Sequence, residues 1–414
     1  MKLPFFLFSC FLAFLSGHMV NYSIIFLSLE WFNSHSIAGI GYGLCFGPPI
    51  ILGWFAGVYC DRYSPRKVLL VAQNSFFIAL ALLLIALETP LDNLDNKNIR
   101  LILLLTAALF SGIGWSFVAP ARFATLPYYV VLTKENCLVK NKQKLTGATI
   151  ALNLMLMMGF GLAPMLLKQI EVAYSWHTVL ITAITMFALS SLLLLPLTIK
   201  FTAQTSAYSS NRAFREIKAS LLFVKKSSYL MQLLLLASIA YLLMGPMQVL
   251  LPSIAKDKLG LSEIAQGNYL SLIAFSLIVG GLLAMTLKRK GKLGYQLLSA
   301  ILIAGLGIGL LALIDNLTIS VGLLVISACC GGIAISFIVA GLQHYSSDEH
   351  RGRIMSFYTI ISQVIPAASG VGAGILAQAF SPSTSMVLIS ITIVFAMFIA
   401  IFFLKQIRQL DSYN

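Results

Sequence analysis

Apolar residues in this chain come in long, nearly unbroken runs rather than at the spacing of an amphipathic helix or a half-buried strand. Twelve runs can be read, at roughly 3–29, 37–59, 67–88, 99–119, 145–168, 176–199, 229–252, 267–287, 295–314, 318–343, 353–378 and 384–404. A helix needs about 20 apolar residues to cross a bilayer core of about 30 Å, and each run is about that long. The pattern predicts an all-α polytopic membrane protein with 12 transmembrane helices. The first run sits where a signal peptide would. It is longer than a signal core, lacks a small-residue cleavage site and is followed by eleven more spans.

Polar positions between the runs take sides. Of the 28 Lys and Arg, 23 fall on one face of this topology, and only Lys97, Arg100, Lys168, Lys256 and Lys258 fall on the other. Basic loops stay cytosolic, so both termini are expected in the cytosol. Trp31 and Trp176 fall at outer helix ends, where aromatic belts form. No charged residue is expected inside a span, and Arg122 is assigned to the loop after the fourth. The longest cytosolic connection divides the chain into 1–199, a linker at 200–228 and 229–414. Within the linker, Asn211–Lys226 reads as an amphipathic helix, with Phe214, Ile217, Leu221 and Leu222 on one face. Gly159 and Gly161 precede Gly370 and Gly372 by the same interval, which points to a duplication of six helices, a habit of secondary transporters.

Composition narrows the function. Residues are 59% hydrophobic and 10% charged, with a net charge of +14. Soluble domains carry about 25% charged residues, so a cytosolic enzyme, a disordered chain and a nucleic-acid binder are excluded. Cys10, Cys45, Cys60, Cys137, Cys329 and Cys330 fall in spans or on the cytosolic side, where no disulfide framework is expected. Cys329 and Cys330 point about 100° apart on a helix and read as packing, not as a metal site. No phosphate-cradling loop or nucleophile elbow occurs. Neither catalysis nor a cofactor is expected.

Polar side chains inside spans are costly unless they face protein or a wet cavity. His18, Asn21 and Tyr22 share one helix face by their spacing. Ser111, Trp115 and Ser116 lie in span 4, Asn153 in span 5, Tyr241 and Gln248 in span 7, Ser276 in span 8, Ser336 in span 10 and Gln363 in span 11. His18 is the one conventional group in any span that titrates near neutrality, with an ordinary pKa of about 6.5. Two readings stand for it: a carrier of a coupling proton with Asn21 as partner, and a neutral, hydrogen-bonded interior histidine.

The loop after span 2 reads Gly57-Val58-Tyr59-Cys60-Asp61-Arg62-Tyr63-Ser64-Pro65-Arg66-Lys67. It resembles the signature loop of the major facilitator superfamily, with Ser64 where glycine is usual. Gly47-Pro48-Pro49, Val249-Leu250-Leu251-Pro252 and Asp348 to Ser356 are similar to the bacterial efflux branch that holds enterobactin-type siderophore exporters and macrolide exporters. Ala119-Pro120-Ala121-Arg122 is similar to bacterial lysophospholipid transporters. The resemblance implies two six-helix bundles in a bacterial inner membrane, alternating access and a monomer. Its partners would be a small-molecule substrate, protons and the lipid bilayer. The implied activity is proton-coupled export of a small amphipathic molecule such as a siderophore or drug. Siderophore uptake, lysophospholipid transport and a non-transporting sensor are the rival readings. The implied substrate cavity takes His18, Asn21, Tyr22, Trp115, Asn153, Tyr241, Gln248, Ser336 and Gln363. Gly57, Asp61, Arg62, Arg66 and Lys67 form the implied gate. Asp61 would lie against the start of span 11 when the inner face is closed; a plain surface ion pair is the rival reading. Gly39, Gly43 and Gly47, and Gly370, Gly372 and Gly374, read either as sliding faces between the halves or as tight packing within one.

Overall fold

A computed structural model describes residues 2–90, 92–130, 138–199, 224–225, 227–287, 292–346 and 351–410. The amphipathic helix expected over Asn211–Lys226 lies almost wholly outside them. The helices are α1 (Lys2–Phe32), α2 (His35–Phe46), α3 (Pro49–Arg62), α4 (Pro65–Glu88), α5 (Leu94–Thr125), α6 (Leu138–Ala173), α7 (Trp176–Leu194), α8 (Ser228–Tyr241), α9 (Met244–Ser253), α10 (Glu263–Leu287), α11 (Leu293–Leu311), α12 (Leu317–Tyr345), α13 (Arg351–Ala379) and α14 (Pro382–Phe403). They supply twelve stretches long and apolar enough to cross a membrane.

Starts of these helices are written locally. Ser34, Asn93, Ser175, Ser227, Asn316 and Ser381 each accept a hydrogen bond from the backbone three residues on. That satisfies a donor which lipid and loop alike leave bare. Two spans are broken. Span 2 is α2 followed by α3, because Pro48 and Pro49 have no N–H to give the carbonyls one turn back. Span 7 is α8 followed by α9, and a π-turn over Ile254–Lys258 ends it.

The helices group into two compact units. One comprises α1–α7 with Leu261–Ser271, and the other comprises α8, α9, the rest of α10 and α11–α14. In the first unit α1 is the central helix. Ser9 and Ser190 exchange bonds with each other's carbonyls at 2.8 Å, Ser16 donates to the Ala183 carbonyl at 2.7 Å, and Gln73 donates to Ser190 at 3.1 Å. Such small polar residues are the adhesive available between helices in lipid.

The second unit repeats this plan. α6 packs on α1 in the first unit, and α13 packs on α9 in the second. At both places a glycine permits the approach. A Cβ on Gly159 would lie 2.9 Å from the Phe14 Cβ, and one on Gly245 would strike the backbone at Gly370. Gly370 therefore packs within its own unit.

Arg122 departs from the charge-free helix interiors read from the sequence, and two basic residues at the edges of their runs are buried as well. Arg122 lies inside α5 and is fully buried, and Arg100 and Lys168 are nearly so. Lys168 neutralises itself against Glu171 one turn away, at 2.6 Å. Arg100 stacks over Trp31 and donates to carbonyls of Leu87 and Thr89. Arg122 is misplaced by an apolar run read as ending at 119, whereas α5 carries Pro120 and runs on to Thr125. Packed membrane helices tolerate proline in this way.

Candidate functional site

α1 and α5 run antiparallel and meet along one seam. On α1, Leu3, Leu7, Cys10, Phe14, His18 and Asn21 fall within an arc of about 80°, at 100° per residue. On α5, Ser111, Trp115, Val118 and Arg122 share a similar arc. The rungs follow in register. Ser111 donates to Asn21 Oδ1 at 2.8 Å. The Trp115 ring lies 4.9 Å from that of His18 and 5.9 Å from that of Phe14. Arg122 Nη1 donates to the Cys10 carbonyl at 2.8 Å. Phe160 of α6 closes the side, 5.1 Å from His18 and 6.3 Å from Tyr22. Gly17 makes room for the indole: a Cβ there would sit 2.7 Å from its ring.

Four members of the implied substrate cavity are thus brought together: His18, Asn21, Tyr22 and Trp115. All are buried, His18 the least at 8% exposed. Each keeps a polar atom without a hydrogen-bond partner: His18 Nδ1, Asn21 Nδ2, Tyr22 Oη and Trp115 Nε1. An unsatisfied buried polar atom costs about 1–3 kcal/mol, and four of them cluster here among aromatic rings. Few placed polar groups on apolar, aromatic walls are the usual make-up of a small-molecule site.

Arg122 continues the seam toward the end that carries Lys2, Arg66 and Lys67, here termed the basic end. Its guanidinium lies 4.1 Å above the Phe14 ring, and Nε and Nη2 have no partner. No ion pair reaches it among the described residues. At the same end an open cleft of about 540 Å³ is lined by Lys2, Leu3 and Leu7 of α1, by Tyr129 and by Lys144 and Ala148 of α6.

The other predicted residues are placed separately. Asn153 is exposed on α6, beside Leu154, and is not part of the seam. In the second unit Tyr241 is buried, with its hydroxyl 2.7 Å from that of Tyr358. Tyr358, which the sequence reading missed, carries the same chemistry as Tyr241. Gln248 is buried on α9, and Ser336 is half-buried on α12. Gln363 is half-buried with an unpartnered Oε1. Of the gate, Gly57 and Asp61 lie in α3, and their surroundings fall outside the described part of the structure. Arg62 and Lys67 are exposed. Arg66 donates from Nε to the Leu194 carbonyl at 2.9 Å and from Nη2 to that of Leu195, so it closes the C-terminus of α7.

Twelve membrane-length helices in a doubled plan define a multi-pass membrane protein. The chain belongs to the Major Facilitator Superfamily, whose family model matches residues 6–370. Among solved structures it is similar to the nucleoside transporter NupG, at TM-score 0.70 and 15% identity over 96% of this chain and 99% of that one. It is similar to a bacterial homolog of the human lysosomal transporter Spinster in an inward-facing, unoccupied conformation, at TM-score 0.70 and 13% identity over 99% and 96%. A D-xylose-proton symporter matches at TM-score 0.70 and 15% identity over 94% and 96%. At such identities the likeness is one of fold. No curated protein matches the sequence. The protein is a membrane-embedded transporter of a small molecule and not an enzyme.

Proposed function

We propose that the protein exports a small amphipathic molecule, of the siderophore or drug type, by alternating access coupled to protons. The observation that carries this reading is the α1–α5–α6 seam, where four buried polar atoms lack partners against aromatic rings. Aromatic walls suit the apolar body of such a solute, and the spare polar groups suit its few polar substituents. His18 serves as the proton carrier in this reading, with its Nδ1 unpartnered beside Trp115 and Phe160. In this reading the protein lies in a bacterial inner membrane with its basic end in the cytosol, an orientation that the 23 basic residues of one face support. The Gly57–Lys67 segment governs the switch between states. Its Arg66 is tied to the end of α7, so movement of the segment is coupled to that helix.

Everted membrane vesicles energised by respiration test the reading with a lipophilic fluorescent dye. Dye accumulation should collapse with a protonophore and fall at least tenfold in His18→Ala and Asn21→Ala. Tyr22→Phe, which removes only the hydroxyl, should cost less. Accumulation that is unchanged in all three variants would remove the seam from the substrate path. Accumulation only in right-side-out vesicles would reverse the direction to uptake. Movement of a labelled lysophospholipid but not of dye would change the substrate.

A further inference from the structure

We infer that the cargo is an organic anion and that its carboxylate or phosphate head is held by the free edge of Arg122. This deepens the transporter reading and rests on it. Arg122 has five N–H donors, and the structure employs one, from Nη1 to the Cys10 carbonyl. The atoms left without a partner are Nε and Nη2. These two lie side by side on one edge of the guanidinium, and that edge is the fork that grips a carboxylate or phosphate through two parallel bonds. A guanidinium kept only for its grip on a carbonyl needs no such orphaned pair, least of all when fully buried. Phe14 covers a face of the plane, so the unpartnered edge, enclosed in the bundle, is not taken up by the ring.

The surroundings fit an anion with an apolar body. Arg122 shares its α5 arc with Trp115, and its partners Cys10 and Phe14 share the α1 arc with His18, so head and body sites lie on one seam. Toward the basic end, the α1 face of Cys10 and Phe14 continues as Leu3 and Leu7 into the 540 Å³ cleft, whose rim holds Lys2 and Lys144. The α6 face that lines the cleft at Lys144 and Ala148 leads on to Gly159, which touches Phe14. The two lysines of the cleft add positive charge at the same end of the seam as Arg122. Among the described residues no carboxylate competes for Arg122.

The test uses the full-length protein in dodecyl maltoside. Its melting temperature is followed with octyl phosphate, octanoate, octyltrimethylammonium and octyl glucoside. The anions should raise it by several degrees at concentrations where the cation and the sugar do not. The larger response, to octyl phosphate or to octanoate, identifies the head group. Arg122→Gln should abolish the anion shift, and Arg122→Lys, which keeps charge but loses the fork, should retain a smaller one. Should the Gln variant fail to fold, the wild-type selectivity and the Lys variant decide. A purely structural arginine would lower the ligand-free melting temperature on substitution and leave the wild-type response to anions and cations equal; that pair of results overturns the inference. Binding is read here without transport. A protein that moves dye yet shows no anion preference therefore refutes this inference alone, whereas one that binds anions but moves nothing refutes the transporter reading.

Discussion

Arg66 and Arg122 lie near the same end of the first unit and do opposite things with one side chain. Arg66 spends its Nε and Nη2 on the Leu194 and Leu195 carbonyls, groups that the end of α7 leaves without an intrahelical donor. Hydrogen bonds from a charged donor are worth about 1.5–3 kcal/mol, less at this half-exposed place. Arg66→Lys, a single-point donor, should therefore destabilise the protein by about 1 kcal/mol, read as a lower thermal midpoint in detergent. An unchanged midpoint would mean the pair adds nothing. Sequence alone gave Arg66 a gate role from its motif, because a bond 128 residues distant leaves no local trace. It left Arg122 in a loop for a smaller reason. A span edge placed at 119 rather than 125 hides whatever the last two turns carry. The register of Ser111, Trp115 and Arg122 at steps of four and seven was readable once Pro120 was allowed inside the helix. His18, Asn21, Tyr22 and Trp115 were legible because a polar side chain in an apolar run is conspicuous. Tyr358 was not, because one tyrosine among the fifteen of this chain gives no such contrast.

Elements were easier to read than their breaks. Long apolar runs fix where helices are, but the split of span 2 into α2 and α3 depends on two prolines, which apolar counting passes over. The break has a packing partner. A Cβ on Gly112 of α5 would strike the Leu44 carbonyl and lie 2.6 Å from Pro48 Cγ. Neither a carbonyl nor a proline ring can swing away as a flexible side chain would, so Gly112→Ala should cost about 1–3 kcal/mol of overpacking. Gly147→Ala supplies the control: nothing lies within 4 Å of its Cβ position. There the loss of glycine's backbone freedom should leave stability unchanged or raise it by about 0.5–1 kcal/mol. Equal melting temperatures for the two variants would show that the contact between α5 and the span 2 break is not tight in solution.

At the scale of the whole molecule the two units repeat one plan but not one chemistry. Span 5 meets span 1 through Gly159, and span 11 meets span 7 through Gly370 and Gly245. The glycine spacing in the sequence had pointed to that doubling. The signature segment is not doubled. At the second-unit position equivalent to Asp61, counted from Gly57 and Gly281, stands Met285, whose side chain is largely exposed. A packing role common to both units would not call for a carboxylate in one and a thioether in the other. A role in biasing a two-state equilibrium needs an acid in one place only, and a ligand or contact shifts such an equilibrium only by its preference for one state. Asp61→Asn keeps shape and removes charge. It should cut the initial rate of transport at least tenfold while leaving the melting temperature and the affinity for cargo within error, because the seam of α1 and α5 is untouched. Wild-type transport in that variant would show that the charge of Asp61 does not set the switch, and a lowered melting temperature would make it a structural acid instead.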